Sequence, residues 1–242
     1  MAKSIAQYID HAVLHPTQTE HHLRAACRMG RQLHVATVCV KPYMIPLAVE
    51  LLDGSPVDVS TVVGFPHGSI SAESKSAEAE WACRHGAREL DMVANVGLVV
   101  QEAWDRVAAE IRAVVSAGKK HRASTKVIFE TGMLPNDEIK VRLCRISCDA
   151  GAAMVKTSTG FGFVKQPDGQ IEATGATEHD VRLLRATCPE HVGVKASGGI
   201  RSYADARRMI ELGASRLGTS ATETIVQQEQ DEHGDGSPAG DL

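Results

Sequence analysis

No run in this 242-residue sequence approaches the roughly 18–20 consecutive apolar residues that a membrane-crossing helix requires. The first residues, Met-Ala-Lys-Ser-Ile-Ala-Gln-Tyr, lack the apolar core of an export signal. Positive charge is not in excess: the formal net charge is −4, which argues against a nucleic-acid partner. The six cysteines, at 27, 39, 83, 144, 148 and 188, form no Cys-x-x-Cys pair and read as reduced, buried thiols of a cytoplasmic protein. Cys144 and Cys148 fall at i, i+4 on one helix, but no second ligand pair accompanies them, so no metal is expected. A Gly-x-Gly-x-x-Gly turn after the first strand is also missing, which counts against a doubly wound open sheet.

What is present is an ordinary soluble composition, 43% hydrophobic and 23% charged, in a chain long enough for one large domain. A short helix leads into a strand around Ile9–Leu14. Strands follow at Val35–Val40, Val57–Phe65, Glu89–Asn95, Lys126–Glu130, Ala152–Thr157, Val192–Ala196 and Arg216–Thr219. Helices separate them: about 20–32, Ile45–Leu52, a run capped by Ser71, Gln101–Ala117, Asn136–Asp149, one from Thr177, and Ser202–Leu212. Gly86-Ala87, Gly151-Ala152 and Gly213-Ala214 each close a helix and open an apolar strand, 65 and 62 residues apart. Each interval therefore holds two βα units. Eight strands joined by helical crossovers predict an α/β fold, a (β/α)₈ barrel over residues 1–226. Residues 227–242 carry Glu229, Asp231, Glu232, Asp235 and Asp241 with no Lys, Arg or aromatic residue, and are expected to be a disordered acidic tail.

Two strand ends carry the chemistry. Ala153-Met154-Val155-Lys156-Thr157-Ser158-Thr159-Gly160 and Val192-Gly193-Val194-Lys195-Ala196-Ser197-Gly198-Gly199 each place a lysine where an apolar strand runs out. Such a lysine is costly to bury unless it is paired or used. On neighbouring strands the two ammonium groups repel, and burial adds to that, so at least one amine is held below its ordinary pKa. A free amine can condense with a carbonyl to a Schiff base. Salt-bridging alone is the plainer alternative, and the pairing of two lysines weighs against it. Asp91, among apolar neighbours, needs a charged partner and could relay protons, or could simply satisfy loop N–H groups. Asp10, Cys39, Asn95 and Glu130 are further polar candidates at strand ends. The stretches Gly198-Gly199-Ile200-Arg201, Gly218-Thr219-Ser220 and Gly160 suit a phosphate, since loops after the last barrel strands commonly hold one. Of the histidines, His11 and His15 flank the first strand end and could face the pocket, while His21 and His22 read as solvent-facing. Trp81 and Trp104 read as packing residues.

These segments, with Ile9-Asp10-His11, Val63-Gly64-Phe65-Pro66, Glu89-Leu90-Asp91-Met92-Val93 and Val127-Ile128-Phe129-Glu130-Thr131, resemble the deoxyribose-phosphate aldolase family from about Tyr8 to Ser220. The resemblance implies a class I, Schiff-base lyase on a (β/α)₈ barrel. It would cleave 2-deoxy-D-ribose 5-phosphate reversibly to D-glyceraldehyde 3-phosphate and acetaldehyde. It further implies Lys156 as the Schiff-base lysine, Lys195 as the lysine that depresses its pKa, and Asp91 as proton relay. Gly160, Gly198, Gly199, Ile200, Arg201, Gly218 and Ser220 would line the phosphate cradle, with Asp10 and Cys39 in the pocket wall. It implies no cofactor, a cytoplasmic homo-oligomer such as a dimer, a role in deoxyribonucleotide and carbohydrate breakdown, and neither nucleic-acid nor membrane partners. The first segment, Asp10-His11-Ala12-Val13-Leu14-His15-Pro16, departs from the family's Asp-His-Thr-Leu-Leu-Lys-Pro, and Thr222 stands where a glycine is usual. Ala12 stands where a threonine is usual, and Ala221 where a serine is usual. Some members carry a C-terminal tyrosine that aids proton transfer, and the segment 227–242 has none. Two other readings stay open: a related Schiff-base lyase on another aldehyde or sugar phosphate, and a barrel that binds a sugar phosphate without turnover.

Overall fold

The structure, a computed structural model, describes residues 3–166 and 168–234. Eight parallel strands close a barrel: β1 (Ile9–Val13), β2 (Thr37–Val40), β3 (Asp58–Val63), β4 (Glu89–Val93), β5 (Ser124–Ile128), β6 (Met154–Lys156), β9 (Gly193–Ser197) and β10 (Arg216–Thr219), with β10 pairing back onto β1. Between β6 and β9 the chain makes an antiparallel ribbon, β7 (Phe163–Lys165) and β8 (Ile171–Ala173). The sequence suggested only a polar loop there. The ribbon's three-residue strands, mostly exposed, are too short and too polar to show an alternation pattern.

Helices α1 (Glu20–Leu33), α2 (Ile45–Leu52), α3 (Ala72–Arg84), α4 (Val96–Val100), α5 (Trp104–Lys120), α6 (Asp137–Asp149), α7 (Glu178–Thr187), α8 (Tyr203–Glu211) and α9 (Thr222–Gly234) follow in order. Polar caps start several of them. Ser71 Oγ accepts from Ser74 N at 3.1 Å, Asn136 Oδ1 from Ile139 N at 2.9 Å and Thr177 Oγ1 from Asp180 N at 3.0 Å. The helix expected over 101–117 is α5, which starts at Trp104, and an unexpected short helix, α4, precedes it. Glu102 takes a left-handed conformation, φ 57°, which stops one helix before Trp104 begins the next.

Apolar strand residues alternate outward and meet the helices. Val38, Leu90, Val127, Val155, Val194 and Leu217 are fully buried there, packed with Ile111, Leu143 and Leu184 from the helices. A buried ion pair, Lys75 Nζ to Glu110 Oε2 at 2.8 Å, fastens α3 to α5 within this layer. Trp104 packs against the apolar layer as expected. Trp81 does not: it is exposed and stacks on His85, ring centroids 4.0 Å apart.

The expected tail boundary at residue 227 falls inside α9, which runs to Gly234. Ile225 and Val226 are buried. The acidic side chains beyond them are used rather than merely solvated. Glu229 accepts from Ser4 Oγ and Ile5 N, both at 2.8 Å, and Gln228 Oε1 accepts from Tyr203 N at 2.7 Å. Composition read as acidic and unstructured; these caps of neighbouring segments order it. The remainder, 235–242, lies outside the described residues.

Candidate active site

Inward-facing strand residues build a charged interior. Parallel register sets Lys156 beside Lys195, Asp91 beside Lys126, and Arg216 beside Lys195. Lys156 Nζ and Lys195 Nζ each lie 2.7 Å from the same atom, Asp91 Oδ2. Lys195 also contacts Asp10 Oδ2. Lys126 Nζ reaches Asp10 Oδ2 at 2.7 Å and Glu89 Oε2 at 2.6 Å. It also lies 2.9 Å from Asp91 Oδ1, close enough for charge attraction though that oxygen lacks a well-directed hydrogen bond. Arg216 Nη1 bridges Asp10 Oδ1 at 2.5 Å and Glu89 Oε2 at 2.8 Å.

Four cationic side chains therefore face three carboxylates in this network, one more than neutrality allows. Burying an unmatched charge is expensive, so one amine is pressed to give up its proton. Lys156 is the one, because it keeps a single carboxylate contact while Lys195 has two and Lys126 three. Burial holds the Lys156 ammonium below its ordinary pKa, and the Lys195 charge adds to this against the pull of Asp91. Burial acts on Lys195 too, but Asp10 and Asp91 outweigh it and its pKa rises. Asp91 is held well below the usual carboxylate range: burial opposes this, and Lys126, Lys156 and Lys195 together overcome it.

Above the network opens a cavity of about 280 Å³ at the carboxyl ends of the strands. Lys156, Lys195, Asp10 and Cys39 reach its wall, as do Gly160, Gly198, Gly199, Ile200, Arg201, Gly218 and Ser220. Asp91 lies beneath the floor, wholly buried. The Cys39 thiol is pushed up by burial and by Asp91, which keeps it protonated. Gly218 has a specific reason to be glycine. A Cβ there would stand 2.7 Å from Ser197 Oγ and 3.1 Å from Lys195 Cε, in the space the lysine stem uses.

Other candidates separate. His15 joins the wall, whereas His11 turns to Thr222 Oγ1 at 2.8 Å, and burial lowers its pKa to about 4. His21 and His22 are exposed, as expected. Asn95 caps α4, accepting from Leu98 N at 3.2 Å. Glu130 is a loop clamp. Its carboxylate accepts from Thr159 N at 3.2 Å and Thr174 Oγ1 at 3.0 Å. Gly162 permits that clamp, since a Cβ would fall 2.3 Å from Thr174 Oγ1. Lys126 and Arg216 were absent from the sequence-derived set. Both sit at or near strand starts, where a basic residue is ordinarily solvated; only their inward alternation with apolar residues signals otherwise.

Comparison with known proteins decides the lineage. Residues 4–222 match the family model described as DeoC/LacD family aldolase. The chain belongs to this aldolase family. It is 45% identical to the deoxyribose-phosphate aldolase of Carboxydothermus hydrogenoformans over 225 residues, covering 92% of this chain and 94% of that one. Identity to the same-named protein of Caldanaerobacter subterraneus subsp. tengcongensis is 46%, covering 93% of each chain. Among solved structures, the tetrameric deoxyribose phosphate aldolase from Aeropyrum pernix matches with a TM-score of 0.82 and 31% identity, over 94% of this chain and 92% of that one. The family assignment agrees with the closed eight-stranded barrel that the strand and helix pattern predicted.

Proposed function

We propose that this lyase reversibly cleaves 2-deoxy-D-ribose 5-phosphate to D-glyceraldehyde 3-phosphate and acetaldehyde through a Schiff base on Lys156. One observation carries the assignment of the nucleophile: two lysines share one oxygen of Asp91, and the excess of positive charge falls on Lys156. The neutral Lys156 amine attacks the open-chain aldehyde carbon, a C–N bond forms, and the carbonyl oxygen leaves as water. The protonated imine then accepts the electron pair of the C2–C3 bond as the C3 hydroxyl gives up its proton. Glyceraldehyde 3-phosphate departs, C2 of the enamine takes a proton, and water releases acetaldehyde.

Lys195 keeps its charge, so it cannot compete as nucleophile. Its field adds to burial in lowering the Lys156 pKa. Asp91 contacts both amines at 2.7 Å and so offers a proton path between them. The phosphate falls to the far end of the cavity. There the backbone N–H groups of Gly160, Gly199 and Ser220 donate to no protein acceptor among the described residues. The N–H of Ser202, at the start of α8, is already taken by Asp205 at 3.2 Å, so the loop amides and Arg201 rather than the helix end carry the anion. Thr219 Oγ1 donates to Ile200 O at 2.8 Å and locks the two phosphate loops together.

Borohydride reduction in the presence of acetaldehyde tests the nucleophile: the mass of a reduced two-carbon adduct on the Lys156 peptide is expected, and an adduct elsewhere or none overturns it. Ala12 and Ala221 both line the cavity, so a related lyase acting on another aldehyde phosphate keeps the same lysines with altered affinity. A substrate panel scored by product aldehyde separates the two readings. A reducing cytoplasm is part of the same proposal, supported by six free thiols. Self-association is a further part, supported by the tetrameric Aeropyrum pernix relative and checked by sedimentation. Among the described residues no helix is long and apolar enough to cross a membrane.

A further inference from the structure

A second concentration of reactive groups lies between α6 and the end of α7. Cys144 and Cys148 stand one turn apart on α6, and Cys188 caps the C-terminus of α7. The fold closes the sequence gap between them. Cys144 Sγ and Cys188 Sγ are 3.2 Å apart, Cys148 Sγ and Cys188 Sγ 4.0 Å, and all three sulfurs fall within 4.8 Å of one another. We propose that these three thiols form a trithiolate site for a soft divalent ion of the Zn²⁺ and Cd²⁺ kind, distinct from the catalytic lysines.

Geometry comes first. Three thiolates each about 2.3 Å from a tetrahedral Zn²⁺ stand about 3.8 Å apart. The spacings here bracket that separation, so small rotations about the cysteine side chains suffice to seat an ion. Sulfur-only donors select soft metals over Mg²⁺ or Ca²⁺. Cys144 is fully buried and Cys188 nearly so, while Cys148 is half-buried, which gives an ion a way in and leaves the fourth position to water.

Charge is also provided for. Three thiolates and a divalent ion leave one negative charge. Arg185 stands beside it, held by Cys188 O at 3.0 Å, Pro189 O at 2.8 Å and Val192 O at 2.9 Å. The same guanidinium clamp fixes the turn that carries Cys188, so the donor set is rigid on one side. Sequence spacing shows only the Cys144–Cys148 pair, because the third donor lies 40 residues beyond it, outside any compact zinc-ligand spacing.

Titration of the full-length protein with Cd²⁺ in a phosphine reductant tests the proposal. A sulfur-to-cadmium charge-transfer absorption saturating at one ion per chain is expected, with release of more than one proton per ion and displacement by Zn²⁺. Cys148→Ser, at the half-buried position, should remove most of the absorption and weaken binding more than about tenfold, since one of three anionic donors is gone. Its retro-aldol rate in metal-free buffer should equal that of the parent. Cys39→Ser, in the aldolase cavity, should leave the absorption intact. Absence of a saturable absorption in the parent, or its full retention in Cys148→Ser, overturns the site.

Discussion

The inner and outer faces of the barrel are built from the same strands and obey opposite rules. Outward residues such as Leu90, Val127 and Val194 are apolar and meet an apolar helical layer. Inward residues such as Asp91, Lys126 and Lys195 are charged and meet each other, equally removed from water. Alternation along a strand is what lets one segment serve both. The outer face holds the fold by surface burial, which tolerates modest changes in shape. The inner face depends on a balance of charge, and the proposed Schiff-base chemistry uses its one surplus proton. Stability and reactivity are thus assigned to opposite sides of a single sheet.

Substitutions on the two sides should separate accordingly. Lys156→Ala should cost on the order of 10⁴-fold in retro-aldol rate, as loss of a covalent nucleophile does, with the circular dichroism spectrum unchanged. A variant retaining a tenth of the rate would break the assignment of chemistry to that amine. Lys126→Met removes the partner of two buried carboxylates, Asp10 and Asp91, and of the part-buried Glu89. It should destabilise the fold by about 3–5 kcal/mol in urea unfolding, the range for breaking a buried ion pair. Lys195→Leu removes a positive neighbour, so the Lys156 pKa rises and the neutral amine appears only at higher pH. The alkaline-rising limb of the pH–rate profile should move upward, at about tenfold lost rate at neutral pH per unit of displacement. Ile111→Val, on the outer side, should lower stability by about 0.5–1.5 kcal/mol and leave kcat untouched. If Lys126→Met unfolds no more readily than Ile111→Val, the contrast between the faces fails.

Much of the architecture was legible because local signals agreed with the global pattern. Ile45–Leu52 and Arg216–Thr219 emerge with the boundaries expected, and the caps at Ser71, Asn136 and Thr177 sit where the sequence puts them. The two lysines and Asp91 were legible because a charge in an apolar strand is conspicuous. Lys126 was not, since it read as the solvated first residue of a strand over Lys126–Glu130; its burial follows from barrel closure and its register with Asp91. Glu130 was misjudged as a pocket group because its αL backbone, φ 55°, redirects it to the loops. Helix α9 was hidden because Glu229 is satisfied by partners more than 200 positions away.

The ribbon between β6 and β9 departs and returns at one anchored point. Thr159 and Thr174 both bind Glu130, Thr174 N donates to Gly162 O at 2.9 Å, and Ala176 N donates to Gly198 O at 3.0 Å. Between these feet, β7 and β8 form a two-stranded sheet separate from the barrel. That makes the segment an interchangeable cassette: a directed-evolution library could vary its length and tip to recruit bulkier acceptor aldehydes while the reactive amines keep their alignment.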